Sequence, residues 1–256
     1  MTLVTFSELR SPEAGELATN GRRVIGLIGL GAVEQHGPHL PLATDWIIAE
    51  HLVPAIANRI AEPVLAAPVL PGGLSTHHLA FPGTVHLPED VVRGFVTAYI
   101  EAFGRVGVTD VALFSSHGGN FYELGELARS YDGGGTRVIA YSDLPRYLKV
   151  MADGAATRGV DVPETDAHAG GLETSQMMYL RGVDSIAMED GLEGYVAAED
   201  GWLDVLLRDG IDALSPIGVL GRPSIAKEDA GEAICGALAE EIADWISSEL
   251  GVSRAS

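Results

Sequence analysis

The chain has 256 residues, with 16 Lys and Arg against 36 Asp and Glu, a formal charge of −20. That balance excludes the basic footprint of a nucleic-acid binder and attraction to an anionic membrane, and a hydrophobic content of 46% excludes a disordered acidic chain. One cysteine, Cys235, leaves no internal disulfide or cysteine-built zinc cluster, and a polar, acidic N-terminus with no spanning apolar run points to a cytoplasmic protein of one domain over residues 1–256.

In chain order, residues 23–30 (RVIGLIGL) read as a buried strand, 45–60 as a helix kinked near Pro54, and 64–69 as a second strand. Residues 88–106 read as a helix with Pro88 in its first turn and the acids Glu89 and Asp90 at the positive end of its dipole. A strand over 110–115 (DVALFS), a helix over 120–131, a strand over 136–141, a helix over 172–180 and a terminal helix over 227–250 complete the series. Strands alternating with helices predict an α/β protein, a three-layer α/β/α sandwich with a mostly parallel central sheet. Ligands in such sheets bind beyond the carboxyl ends of the strands.

Three polar islands stand at such ends. The strand 23–30 runs into GAVEQHGPHLPLATD, which carries Glu34, His36, His39 and Asp45. Glu34 and His36 are two apart, so an extended segment puts both on one side, and Gly37-Pro38 redirects the chain before Asp45 opens the next helix. Two carboxylates and an imidazole converging on one point suit a divalent transition metal. Taken singly, Asp45 is equally a helix cap, Glu34 a loop acid, and His39 a supporting histidine rather than a ligand. The second island is His117-Gly118-Gly119-Asn120 after DVALFS, where His117 reads either as a ligand or as a histidine bonded to backbone. The third is HAGGLETS, in which His168 and Glu173 converge only if His168 lies in a loop and Glu173 in the first turns of the helix. His77 and His78, in a glycine-rich loop, either line the pocket mouth or sit in solvent. Arg146, Arg158 and Arg181 are candidate anion anchors or plain surface residues.

Glu34, His36, Asp45, His117 and Glu173 supply three carboxylates and two imidazoles. Two divalent cations with these carboxylates and one hydroxide are locally neutral, and Asp45, between the others in the chain, is the natural bridge. Such cations activate water and polarise a carbonyl. His168, spare as a ligand, can carry a proton to a leaving nitrogen. The sum is hydrolysis of an amide-type C–N bond. No G-x-S-x-G, Walker or G-x-G-x-x-G motif offers another chemistry. Two other readings stay open. His36, Asp45 and His117 have the composition of a non-haem iron oxygenase face, and a catalytically degenerate protein would only bind a ligand or partner.

GAVEQHGPHLPLATD, SHGGN and HAGGLETS, in this order, resemble the creatininase (creatinine amidohydrolase) family, as do FPGTV at 81–85 and SPIGVLGRP at 215–223. The resemblance covers residues 20–250 and implies a creatininase-like α/β/α sandwich, one or two divalent metals (Zn, Mn or Fe), a small-molecule amide substrate and a homohexamer. It implies Glu34, His36, Asp45 and His117 as metal ligands with Asp45 bridging, His168 as the catalytic proton-transfer residue, and Glu173 as a ligand or a water-orienting catalytic carboxylate. Two departures stand out. Creatininase itself has a carboxylate two residues after the strand-end histidine, where this chain has Gly119, so either Glu173 takes over that duty or the second metal is weaker or absent. Creatininase also encloses its substrate with tryptophans from the segment leading into the HAG motif, and none of Trp46, Trp202 and Trp245 lies there. The expected substrate is a small cyclic amide, a formamide or a related non-peptide amide other than creatinine.

Overall fold

The computed structural model describes residues 3–17 and 22–255. In chain order these hold β1 (Leu3–Thr5), α1 (Ser11–Glu16), β2 (Ile25–Leu30), α2 (Thr44–Ala57), β3 (Val64–Ala66), α3 (Glu89–Arg105), β4 (Asp110–Ser115), α4 (Phe121–Ser130), β5 (Arg137–Ala140), α5 (Leu144–Ala156), α6 (Gly171–Arg181), α7 (Trp202–Asp209) and α8 (Glu228–Leu250). The strands pair in parallel in the order β1-β3-β2-β4-β5. In the central pair Ile25 lies opposite Asp110 and Leu30 opposite Ser115. Every residue of β2 and β4 is buried, which is why β2 and the middle of β4, residues 111–114, read as unbroken apolar runs.

Strand order also decides which face each helix covers. The path from β2 to β3 steps one way across the sheet, and the paths from β1 to β2, β3 to β4 and β4 to β5 step the other way. Right-handed crossovers then put α2 on one face and α1, α3 and α4 on the other. The two cores show this division. Ile25, Leu27, Ala112 and Phe114 pack with Leu52 and Ile56 of α2 and with α5, α6 and α8. Ile28, Leu30, Val111 and Leu113 pack with Val96 and Ile100 of α3 and Leu124 of α4. The reversal falls between β2 and β4, so the loops leaving their carboxyl ends diverge and open a crevice there.

The architecture is the expected α/β/α sandwich, with corrections at the element level. The strand expected over 64–69 ends at Ala66, because Pro68 has no N–H for the ladder; pairing resumes only with Leu70 N–H donating to the Gly29 carbonyl at 3.1 Å. The helix expected to reach residue 60 ends at Ala57, where Arg59 and Ile60 turn back onto the carbonyls of Ile56 and Ala57. β1, α1, α5 and α7 lie outside the elements read from periodicity.

Candidate metal centre

The first polar loop is folded against the start of α2. Gly31 lies so close to that helix that a Cβ there would sit 2.5 Å from the Trp46 Cα. This approach brings Asp45, in the first turn of α2, beside Glu34. The loop closes through Glu34 N–H donating to the Leu42 carbonyl at 2.9 Å and Thr44 Oγ1 donating to the Pro41 carbonyl at 2.7 Å. Asp45 makes no side-chain cap; Ala43 holds the N-cap position. Ser116 Oγ donates to the Asp45 carbonyl at 2.6 Å and ties the end of β4 to the same helix.

Each histidine is aimed by its other nitrogen. His36 Nδ1 donates to the Glu34 carbonyl at 3.1 Å, which leaves Nε2 facing Asp45 Oδ1 at 3.4 Å and Glu173 Oε2 at 3.7 Å. His117 Nε2 donates to the Leu74 carbonyl at 3.2 Å, and Nδ1 faces Glu34 Oε1 at 3.2 Å and Asp45 Oδ2 at 3.3 Å. His168 lies in the loop before α6, and Glu173 lies in the helix's first turn. Glu173 Oε2 accepts the Ala169 N–H at 2.5 Å, a bond that Ala169 delivers from a left-handed backbone, φ 52°. His168 Nε2 donates to the Gln35 carbonyl at 2.8 Å and turns its Nδ1 toward Glu34 Oε1, 3.7 Å away.

Three sets of ligand atoms lie within 4.8 Å of one another: Glu34, Asp45 and His117; His36, Asp45 and Glu173; and Glu34, His36 and His168. Asp45 belongs to the first two and offers a different oxygen to each. All six residues are buried, and Glu34 Oε1 and Oε2, His36 Nε2 and Asp45 Oδ2 have no hydrogen-bond partner. Burial alone would lower both imidazoles, but the carboxylates override it. Asp45, Glu173 and Glu34 push His36 up to about 10, and Glu34 and Asp45 hold His117 well above its ordinary value. Glu173 is pushed up to about 7, first by burial and then by Asp45 and Glu34. Burial, then the charge on His36, pushes His168 down to about 3 and keeps it a neutral imidazole. A cavity lined with unpartnered carboxylate oxygens and imidazole nitrogens calls for cationic charge, and N/O donors of this kind fit divalent transition metals. His36, Asp45 and His117 form no common set among the described residues, which disfavours the oxygenase face.

Of the remaining candidates, His78 departs from its expected place and the others keep to one of their readings. His78 is not at the pocket mouth: it is buried, with Nε2 3.2 Å from Glu34 Oε1. Its Nδ1 meets Gln35 Nε2 at 2.8 Å, so the Gln35 amide sets which histidine nitrogen points at the carboxylate. His77 lines the cavity and stacks on His117, with ring centroids 5.8 Å apart. His39 meets Thr174 Oγ1 at 2.9 Å and joins none of the ligand sets. Arg146 pairs with Glu241 at 2.6 Å, and none of Arg146, Arg158 and Arg181 lines the cavity. Trp202 does line it, arriving from α7 rather than from the segment before the HAG motif.

Gly119 has a packing reason. A Cβ there would run into the Leu74 carbonyl and His117 Nε2, so this backbone leaves no room for a carboxylate, and Glu173 reaches the His36 side instead. Asp166 was not among the expected site residues. It is buried and accepts N–H bonds from Gly171, Leu172 and Arg222 at 2.9, 3.0 and 3.1 Å, fixing the start of α6 and hence Glu173. An acid a few residues before a helix start was its one sequence signal.

The creatininase family, described as creatinine amidohydrolase, matches residues 7–246. A mycofactocin precursor peptide peptidase of Mycobacterium ulcerans (strain Agy99) is 32% identical over 93% of this chain and 92% of that protein. One of the same name from Mycolicibacterium smegmatis is 28% identical over 86% and 83%. Among solved structures, a creatinine amidohydrolase (creatininase) superposes with a TM-score of 0.71 at 26% identity, covering 98% of this chain and 99% of that one. A structure described as "Creatininase Mn" gives 0.71 at 25% identity, covering 97% and 99%. The chain is a member of the creatininase family.

Proposed function

We propose that this chain is a metal-dependent amidohydrolase that cleaves an amide C–N bond with two cations held in the buried cluster. The observation that carries the reading is Asp45, whose two oxygens face two separate donor sets lined with unpartnered buried atoms. Glu34, Asp45 and His117 would hold one cation, and His36, Asp45 and Glu173 the other; Zn, Mn and Fe all suit these donors. Such cations, when bound, lower the pKa of water and polarise a substrate carbonyl. The chain's own residues do the rest. His168, with its Nε2–H committed to the Gln35 carbonyl, keeps Nδ1 free to take a proton from the attacking water and return it to the leaving nitrogen. His78 Nε2 sits 3.2 Å from Glu34 Oε1 and fills the space beside it, and Asp166 and the Ala169 N–H hold Glu173 in place.

Two amide classes fit this chemistry. One is a small cyclic amide, formamide or related non-peptide amide. The other is a peptide bond, as the names of the mycofactocin precursor peptide peptidases suggest. A cavity of about 500 Å³ has room for more than a single small ring, which favours the second class or a larger amide over creatinine. The near-complete donor set speaks against a degenerate binder. The family resemblance extends the reading to one creatininase-like domain working as a cytoplasmic homo-oligomer, a hexamer in the family pattern.

The test is protein loaded separately with Zn, Mn and Fe(II) and challenged, without oxygen, with formamides, lactams and short peptides. Turnover should disappear with chelation. His168→Ala should keep its metal and lose roughly 10²–10⁴ in rate, the usual worth of a general acid–base group. Turnover that survives both treatments would remove the cluster and His168 from the chemistry.

A further inference from the structure

The cavity that starts at the metal cluster does not end there. It runs outward between α5 and α7 for a total volume of about 500 Å³, and its outer walls are apolar. Leu144 and Leu148 line it from α5, and Leu203 and Leu207 from α7. Each pair is four residues apart, the spacing that puts two side chains on one helix face. Met151 and Trp202 add to the same lining. Leu203 and Leu207 are 44% and 66% exposed, although Leu206 and Trp202 of the same helix pack inward against Ile211 and Leu220. α7 is thus anchored by Leu206 and Trp202, which also reach the cavity wall, while Leu203 and Leu207 line the cavity and stay exposed.

Two of the three charged residues on this outer lining are committed elsewhere. Lys149 donates to Asp153 at 2.7 and 2.9 Å, and Asp166 accepts three backbone N–H bonds. Glu164 is exposed at the rim. No uncommitted Lys or Arg among the described residues lines the space, so nothing on it matches an anionic group.

We infer that the outer half of the cavity is an apolar subsite, and that the substrate carries a bulky apolar group without negative charge beside the amide cleaved at the metal cluster. This rests on the hydrolase reading, and the experiment separates the two. Primary hydroxamates present an amide-shaped, metal-binding head without requiring turnover. Acetohydroxamate, hexanohydroxamate and 3-phenylpropanohydroxamate are titrated calorimetrically into protein whose metal content has been measured. Affinity should rise roughly two- to fourfold per added methylene, as burial of apolar surface demands. Leu203→Gln/Leu207→Gln and Leu148→Gln should each lose most of that gain while binding acetohydroxamate as the parent does. The positions on α7 are exposed, so the double variant should fold like the parent, which its unfolding curve checks. Acetohydroxamate binding with no gain from the tail, or a gain untouched in the variants, overturns the subsite and leaves the hydrolase reading standing. Failure of acetohydroxamate itself to bind metal-loaded protein overturns both.

Discussion

Asp45 Oδ1 sits 3.4 Å from His36 Nε2 and Oδ2 sits 3.3 Å from His117 Nδ1, so one side chain serves both donor sets while Glu173 serves only one. The two carboxylates therefore make different predictions. Asp45→Asn should lose both cations, and Glu173→Gln should lose one and keep the site of Glu34, Asp45 and His117; metal per chain by elemental analysis reads the difference. Adding Gly119→Glu to Glu173→Gln should not restore the second ion, because even the first side-chain carbon at 119 collides with the Leu74 carbonyl. A full metal complement in Glu173→Gln would contradict this division of labour. Glu34, His36, Asp45 and His117 were legible as candidates because dense polar residues at the end of an apolar strand have no packing reason to be there. Gln35 and Asp166 were not, and His78 was legible only as a residue of the pocket mouth, not as the neighbour of Glu34. Their parts come from contacts such as Gln35 with His78, 43 residues apart, which only the fold brings together.

At the level of elements, α6 carries Glu173 and is positioned by α8 crossing behind it. The crossing is close at Gly231, where a Cβ would strike the Ser175 carbonyl of α6, and Ser175 Oγ accepts the Lys227 N–H at 3.1 Å just before α8 begins. Gly236, further along α8, has nothing within 4 Å of an added Cβ. The same substitution should then act in opposite directions. Gly231→Ala should cost roughly 1–3 kcal/mol by overpacking and lower metal occupancy by shifting Glu173. Gly236→Ala should gain roughly 0.5–1 kcal/mol by removing backbone freedom from a helix interior. Thermal unfolding with metal analysis checks both, and equal stability of the two variants would show that the crossing has slack. Strands buried on both faces and long amphipathic helices were readable from pattern alone. α7 was not: it is eight residues long, and two of its leucines face the open cavity rather than a core. α5 carries readable signals, an Asp143 cap accepting the Arg146 N–H at 2.9 Å and Pro145 in the first turn, but its apolar face is completed only by α8.

For the molecule as a whole, a charge of −20 opposes compaction, and three of the carboxylates that make it up are buried together in the cluster. Protonated His36 and His117 offset part of that charge in the metal-free protein, but Glu34 keeps both oxygens without a hydrogen bond. A divalent cation held by this cluster would need the folded arrangement of its residues, so it should stabilise that arrangement by mass action. At a hundredfold excess over Kd this is about 2.7 kcal/mol per site. For a chain of this length, roughly 2–4 °C of Tm per kcal/mol gives a rise of roughly 5–10 °C for each site filled with Mn or Zn. Screening of the surface charge would also raise Tm, but it would act equally on Asp45→Asn and would be matched by NaCl at the same ionic strength. Specific binding should appear in the parent and vanish in Asp45→Asn. Equal shifts in the two proteins would show that the cations act on the acidic surface and not at the buried centre.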